Sequence, residues 1–159
     1  MSIRPISDSL WRDIERIQVQ AYCDLEPESL AVLQSKWLRS PESCFVYQKA
    51  DKTVGYLLAH RWHSLSPPKL YQTLPEEVSG DILFLHDLAL SQEAAGEGIG
   101  SKMIEYLVAL ATKADYRKIV LVSVQASERF WGKHGFQTIT SESVDSAYGE
   151  EAALMVRSL

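Results

Sequence analysis

Three glycines at alternate positions, Gly96, Gly98 and Gly100, follow an apolar segment that carries the pair His86-Asp87, and an amphipathic pattern begins at once after them. The first turn of a helix has N–H groups without intrahelical partners and a partial positive charge. Each glycine lowers helix propensity by about 1 kcal/mol, so three at a helix entrance need a reason. Two are available. Bare backbone amides let a phosphate or diphosphate approach closely, or a tight strand-to-helix turn demands positive φ. The dinucleotide fingerprint G-x-G-x-x-G does not fit, because the third glycine comes one residue early, and the phosphate loop G-x-x-x-x-G-K-[ST] does not fit, because Ser101 precedes Lys102. His86 is the second candidate. An imidazole with an ordinary pKa near 6.5 can take a proton from a reacting group, directly or through water; taken alone, a strand histidine is more often a structural hydrogen-bonding group. His60 and His63, at the end of the preceding hairpin, are alternatives for the same task.

These residues must be placed by the elements around them. Residues 2–5 predict a short strand. Leu10, Ile14, Ile17 and Ala21 recur at helical spacing, with Ser7 to Ser9 as capping candidates. A second helix is predicted over 28–39, with Leu30, Leu33 and Trp37 on one face. Residues 44–49 and 53–62 read as a hairpin around a turn at 50–52. The Pro-containing stretch 63–81 lacks periodicity and is expected to be a loop. A strand over 82–90, a helix over 98–114 and a buried strand over 118–124 form a parallel crossover unit. A short helix over 127–134, stopped by Gly135, precedes two strands near 136–142 and 151–158. The order β, α, α, β, β, β, α, β, α, β, β predicts one mixed α/β domain spanning 1–159.

Composition narrows the function. Apolar residues are 46% of the 159 and the formal net charge is −5 with both signs interspersed, which disfavours a nucleic-acid partner. No apolar run reaches the roughly 18 residues of a membrane span, and the first 16 residues lack the apolar core of a signal peptide, so a soluble cytoplasmic protein is expected. Cys23 and Cys44 belong to no metal-binding spacing; both are expected to be buried free thiols, with no metal.

With the glycine run in place, the chain resembles the GCN5-related N-acetyltransferase (GNAT) superfamily over nearly its whole length. The family pattern [RQ]-x-x-G-x-[GA] followed by a helix reads Ala95-Gly96-Glu97-Gly98-Ile99-Gly100 here, matching at its last three positions and departing where Arg or Gln is usual. A second family motif, an apolar strand and a short helix with an aromatic pair and Gly-Phe, reads LVSVQASERFWGKHGF, with Phe130-Trp131 and Gly135-Phe136. Within the family, Phe84-Leu85-His86-Asp87-Leu88-Ala89-Leu90 is similar to the H-x-H-A-L-A-V run of arylalkylamine (serotonin-type) N-acetyltransferases, with Phe84 replacing the first histidine.

The resemblance implies a mixed sheet that splays between strands 82–90 and 118–124, and acetyl-CoA as co-substrate. It implies that Leu88, Ala89 and Leu90 hold the pantetheine, that Ala95, Gly96, Glu97, Gly98, Ile99, Gly100 and Ser101 cradle the diphosphate, and that Ser127 and Phe130 complete the cofactor site. His86 is then the base that deprotonates the acceptor amine. Asp87, adjacent on a strand, is expected to face the other way. Trp131 stands where the family's tyrosine protonates the departing thiolate; an indole N–H donates a hydrogen bond but supplies no proton. The thiolate, with a reference pKa near 8.5, is expected to leave with hydrogen-bond help alone; water or Tyr148 are other proton sources. Phe84, Trp62 and Tyr71 are expected to line an aromatic acceptor pocket, while Glu76 and Glu77 would suit a polyamine. The implied activity is N-acetylation of a small-molecule primary amine, with an acyl-CoA-binding sensor or a peptide-directed acetyltransferase as rival readings. The family also suggests a homodimer.

Overall fold

A computed structural model describes residues 2–22, 25–124, 127–139, 144, 146–149 and 151–159. In chain order it contains β1 (Ile3–Pro5), α1 (Trp11–Ala21), α2 (Leu30–Arg39), β2 (Phe45–Lys49), β3 (Lys52–Trp62), β4 (Ile82–Leu90), α3 (Ile99–Lys113), β5 (Lys118–Ser123), α4 (Glu128–Gly132), β6 (Gln137–Thr138) and β7 (Ala153–Ser158). This is the expected order of strands and helices. Among the described residues seven strands form one mixed sheet ordered β1-β2-β3-β4-β5-β7-β6, in which only β4 and β5 pair in parallel.

Element ends differ from expectation where side chains choose other partners. The Ser7 and Ser9 hydroxyls bond each other at 3.2 Å, and α1 is preceded by a tight helical turn, Asp8–Leu10, with no side-chain cap. Helix α2 starts two residues later than expected, because Ser29 caps it by accepting from the Val32 amide at 3.3 Å. That leaves Glu28 outside the helix. Strand β6 covers only Gln137–Thr138 among the described residues; 140–143 lie outside them. Cys44 is buried, and burial pushes its thiol up to about 12. Cys23 lies outside the described residues.

Alternation along the strands gives each helix layer its own sheet face. One face packs Leu57, Ala59, Leu83, Leu85, Ile119 and Leu121 against Ile99, Met103, Ile104 and Leu107 of α3. The other packs Val46, Tyr56, Leu58 and Ala89 against Trp11, Ile14 and Ile17 of α1 and Leu33 of α2. Each fully buried Leu, Ile or Met contributes about 1.5–3 kcal/mol. The buried face of α3 therefore outweighs the cost of about 1 kcal/mol for Gly100, the one of the three glycines inside the helix.

Two irregularities in β4 build the site. The β3–β4 register passes from Ala59↔Leu85 to Leu58↔Asp87, leaving His86 as an extra residue in a β-bulge. The β4–β5 ladder ends at Leu85↔Leu121, while β4 continues to Leu90. The two strands diverge from there, and the backbone of residues 86–90 loses its partner on that side.

Candidate active site

The bulge overturns a simple reading of strand alternation. Phe84 faces the α1/α2 side, in ring contact with His60 and His86. A regular strand would turn Asp87 away from His86. Instead the Tyr56 hydroxyl, on the α1/α2 face, donates to the Asp87 carboxylate, so Asp87 and His86 share one side of the sheet. Leu88 and Leu90 pack against the α3 face and do not continue the row of Phe84 and His86.

The partner of His86 is Glu28, at 2.6 Å between Nε2 and Oε1, with side chains only 2% and 7% exposed. Glu28 is held on three further sides. The Gln18 side-chain amide donates to the Glu28 carbonyl at 3.3 Å and accepts from the Glu28 amide at 3.1 Å. The Tyr71 amide donates to Oε2 at 2.9 Å. Burial pushes the Glu28 carboxyl up, but the His86 charge and hydrogen bond, the Tyr71 amide and the Lys36 charge together hold it down at about 2. An ionised carboxylate only accepts, so His86 Nε2 carries the hydrogen. Among the described residues Nδ1 is buried with no hydrogen-bond partner.

His86 lies where two hollows meet. The larger, about 300 Å³, runs along the diverging strands and is lined by His86, Leu88, Ala89, Leu90, Gly100, Ser127, Phe130 and Trp131, among others. The smaller, about 60 Å³, is lined by Tyr22, Leu25, Glu26, Glu28, Leu70, Asp87, Val122, Val124 and Tyr148 as well as His86. Tyr22, common to both, donates from its hydroxyl to the Leu88 carbonyl at 3.0 Å.

The glycine geometry is compatible with both purposes raised by the sequence. Gly96 and Gly98 have φ of +78° and +72°, and Gly98 is the N-cap of α3. Nothing lies within 4 Å of a side chain placed on either, so the surface beside these amides is open to an anion. Gly100 is different. A Cβ there would sit 3.3 Å from the Phe130 ring and 3.5 Å from Leu90, so its bareness lets α4 close against α3. Glu97, an odd residue for an anion cradle, is neutralised by Lys49 at 2.6 Å. Ile99 is core, Ser101 Oγ lies 3.1 Å from His134 Nε2, and Ala95 is exposed in the turn. These residues suit the diphosphate of a coenzyme A thioester.

Residues 10–136 match the acetyltransferase (GNAT) family. The chain belongs to that family. Solved GNAT-fold neighbours include Ard1 from Thermoplasma volcanium, 20% identical with a TM-score of 0.78, covering 99% of this chain and 97% of that one. A GNAT-like decarboxylase, GphF, in complex with isobutyryl-CoA is 16% identical with a TM-score of 0.79 and 99% coverage of both chains. The PaiA N-acetyltransferase from Thermoplasma acidophilum in complex with coenzyme A is 14% identical with a TM-score of 0.72, covering 99% and 98%. No curated protein matches the chain in sequence. Among the described residues there is no helix long and apolar enough to cross a membrane.

The residues expected at the GNAT acceptor site do not come together as an aromatic pocket. Phe84 and Trp62 pack in a buried cluster with Leu74, Ile82, Val120 and Leu154, and Tyr71 is exposed, with its hydroxyl on the Glu26 carbonyl at 2.9 Å. None lines either hollow among the described residues. Burial lowers the His60 pKa to about 3, and His60 packs against Trp62 and Phe84; His63 lies on Trp62 and is exposed. Neither reaches the hollows. Trp131 is buried, its ring against Phe130 and Phe136, and lines the larger hollow. Glu76 and Glu77 are exposed on the loop. Sequence reasoning missed Glu28, Tyr22 and Lys36. The only signal for Glu28 was a carboxylate just ahead of a helix, a common helix-start residue.

Proposed function

We propose that the chain transfers an acetyl group from acetyl-CoA to the primary amine of a small molecule. The observation that carries this reading is the Glu28–His86 pair at the meeting point of the two hollows, with Nε2 hydrogen-bonded and Nδ1 free. Neighbours of the same fold in complex with isobutyryl-CoA and coenzyme A support a coenzyme A thioester as donor, and the larger hollow along the diverging strands offers room for it.

A primary alkylamine is protonated at neutral pH, and only the free base attacks. His86 Nδ1 takes one proton from the ammonium, and the Glu28 carboxylate stabilises the imidazolium that results. The amine nitrogen then forms a bond to the thioester carbon. An unpaired N–H of residues 86–90 stabilises the developing oxyanion. The C–S bond breaks with its electrons going to sulfur, and the nitrogen sheds its second proton to water.

Of the two acceptor classes suggested by the sequence, the aliphatic one suits the smaller hollow. Its volume of about 60 Å³ is less than half that of an apolar cavity of about 150 Å³ that accepts benzene. An arylalkylamine would have to leave its ring outside.

A non-catalytic thioester-binding role is favoured by Trp131, which has no proton to give. A thiol-release assay with acetyl-CoA and a panel of alkylamines, arylalkylamines, polyamines and peptides separates the two. Turnover lost in His86→Ala, with acetyl-CoA affinity retained, is expected. Tight acetyl-CoA binding with no turnover across the panel would establish the sensor.

A further inference from the structure

We propose that Tyr22 is the specificity-determining residue of the acceptor site, a gate whose ring keeps the smaller hollow narrow and restricts it to unbranched aliphatic amines. The proposal rests on the smaller hollow being the acceptor site of the acetyl transfer.

Among the described residues, Tyr22, His86, Asp87, Val122 and Val124 line both hollows. His86 and Asp87 belong to β4, Val122 belongs to β5, and Val124 follows its end. Of these, Tyr22 alone comes from the helical layer, where it caps the C-terminus of α1 and packs, partly buried, against the α1/α2 core. The sheet therefore supplies one side of the meeting point and Tyr22 the other.

The end of α1 holds the ring in place. The Tyr22 amide donates to the Gln18 carbonyl at 3.0 Å and closes the helix. The Tyr22 hydroxyl donates to the Leu88 carbonyl at 3.0 Å. The residue is thus tied to α1 at its backbone and to β4, past the bulge, at its tip. Gln18 lies one turn earlier on the same helix face and grips the Glu28 main chain through its side-chain amide. The Leu25 amide donates to the Tyr22 carbonyl at 3.3 Å, and that turn brings Leu25 into the wall of the smaller hollow. One helix end therefore sets the spacing between Glu28, Leu25 and the strand that carries His86. Swinging the ring aside would break its bond to Leu88.

The consequence is a size filter. The acceptor nitrogen has to reach His86 and the thioester together, where the hollows meet. Its substituent then lies in the smaller hollow, against Leu25, Leu70, Val122 and Val124. That space is about 60 Å³, and Tyr22 stands between it and the roughly 300 Å³ along the strands. An alkyl chain fits beside the phenol ring, whereas an aryl group collides with it. Truncating Tyr22 vacates a ring-sized apolar space, of the kind that accepts an aromatic ligand, and leaves the four aliphatic contacts in place. Tyr148 is less suited to the role, because it lines only the smaller hollow and its hydroxyl is bonded to the Pro68 carbonyl.

Thiol release from acetyl-CoA, measured with n-butylamine and with 2-phenylethylamine, tests the gate in Tyr22→Ala, Tyr22→Leu and Tyr22→Phe. The ratio of kcat/KM for the aryl amine to that for the alkyl amine should rise at least about tenfold in Tyr22→Ala. It should rise less in Tyr22→Leu, and least in Tyr22→Phe, which keeps the ring and loses only its tie to Leu88. An unchanged ratio, with both amines affected alike, makes Tyr22 a packing residue and overturns the proposal. An equal rise in all three variants also overturns it, since ring size would then not matter. A thermal melt identifies a variant that fails to fold; if Tyr22→Ala does so, Tyr22→Leu against Tyr22→Phe decides. Calorimetry with the same two amines, on protein loaded with free coenzyme A, reads the same ratio in binding constants without turnover. Thiol release with an unchanged ratio removes the gate and keeps the acetyltransferase. A ratio that shifts in binding, with no thiol release from any form of the protein, keeps the gate and removes the acetyltransferase.

Discussion

Glu28 and His86 stand 58 positions apart in the chain and meet at 2.6 Å inside the protein. One comes from the residue before the α2 cap, the other from a bulge in β4, and neither element alone could orient an imidazole. The pair fixes the tautomer, because the carboxylate can only accept. Replacing Glu28 by Gln keeps the shape and removes the charge. Steady-state kinetics should show kcat reduced about 10- to 100-fold with the KM for acetyl-CoA unchanged, against about 10²- to 10⁴-fold for His86→Ala. An unaltered kcat in Glu28→Gln would remove Glu28 from the mechanism.

The glycine loop gives a contrast between two positions. A side chain at Gly98 meets no atom within 4 Å, yet must adopt φ near +72°. The strain costs about 1–2 kcal/mol, and the side chain stands where an anion would approach. Gly98→Val should therefore weaken acetyl-CoA binding by at least about tenfold in calorimetry, more than its small melting shift explains. Gly100→Ala should do the opposite. Its methyl meets the Phe130 ring at 3.3 Å, so packing suffers first and diphosphate affinity less. Equal loss of affinity at both positions would mean that the loop acts through packing alone.

The fold was legible because its signals are local. Period-3.6 spacing marks the long helices, short apolar runs mark the central strands, and the glycines mark the entrance of α3. His86 was legible for the same reason, as one residue in a recognisable strand. Its surroundings were not. Glu28 is buried by tertiary packing, which no local pattern reports. The opposite facing expected for Asp87 failed because a one-residue bulge reverses alternation, and nothing in FLHDLAL announces it. Trp62 and Phe84 were expected to line a pocket although such residues are more often core, and the structure packs them together as core. Lys36 looked like an ordinary helix residue until its burial was seen.

Trp131 lines the larger hollow but can only donate a hydrogen bond. With a reference thiol pKa near 8.5, coenzyme A is a fair leaving group at neutral pH. Trp131→Tyr, which supplies an ionisable hydroxyl, should leave kcat within about a factor of three. A rise of about tenfold or more would show that thiolate protonation limits the native protein and that its leaving group departs unassisted.

Two buried groups predict separate acid-sensitive ranges. Burial lowers the His60 imidazole from 6.5 to about 3 in the folded protein. Between those values the unfolded chain binds a proton that the folded one refuses, so stability falls as the pH drops from 6.5 toward 3. Despite its burial, Glu28 is held at about 2 against 4.5 unfolded, chiefly by His86. Its contribution is whole above pH 4.5 and disappears as the pH falls to about 2. Denaturant titrations at a series of pH values should therefore show His60→Gln flattening the slope between 6.5 and 4.5, with the decline below 4.5 still present. Glu28→Gln should retain the upper slope and lose its part of the lower one, each limb amounting to a few kcal/mol in order of magnitude. An upper slope unchanged by His60→Gln would mean that His60 is not its source and would point to His134, whose pKa burial also lowers.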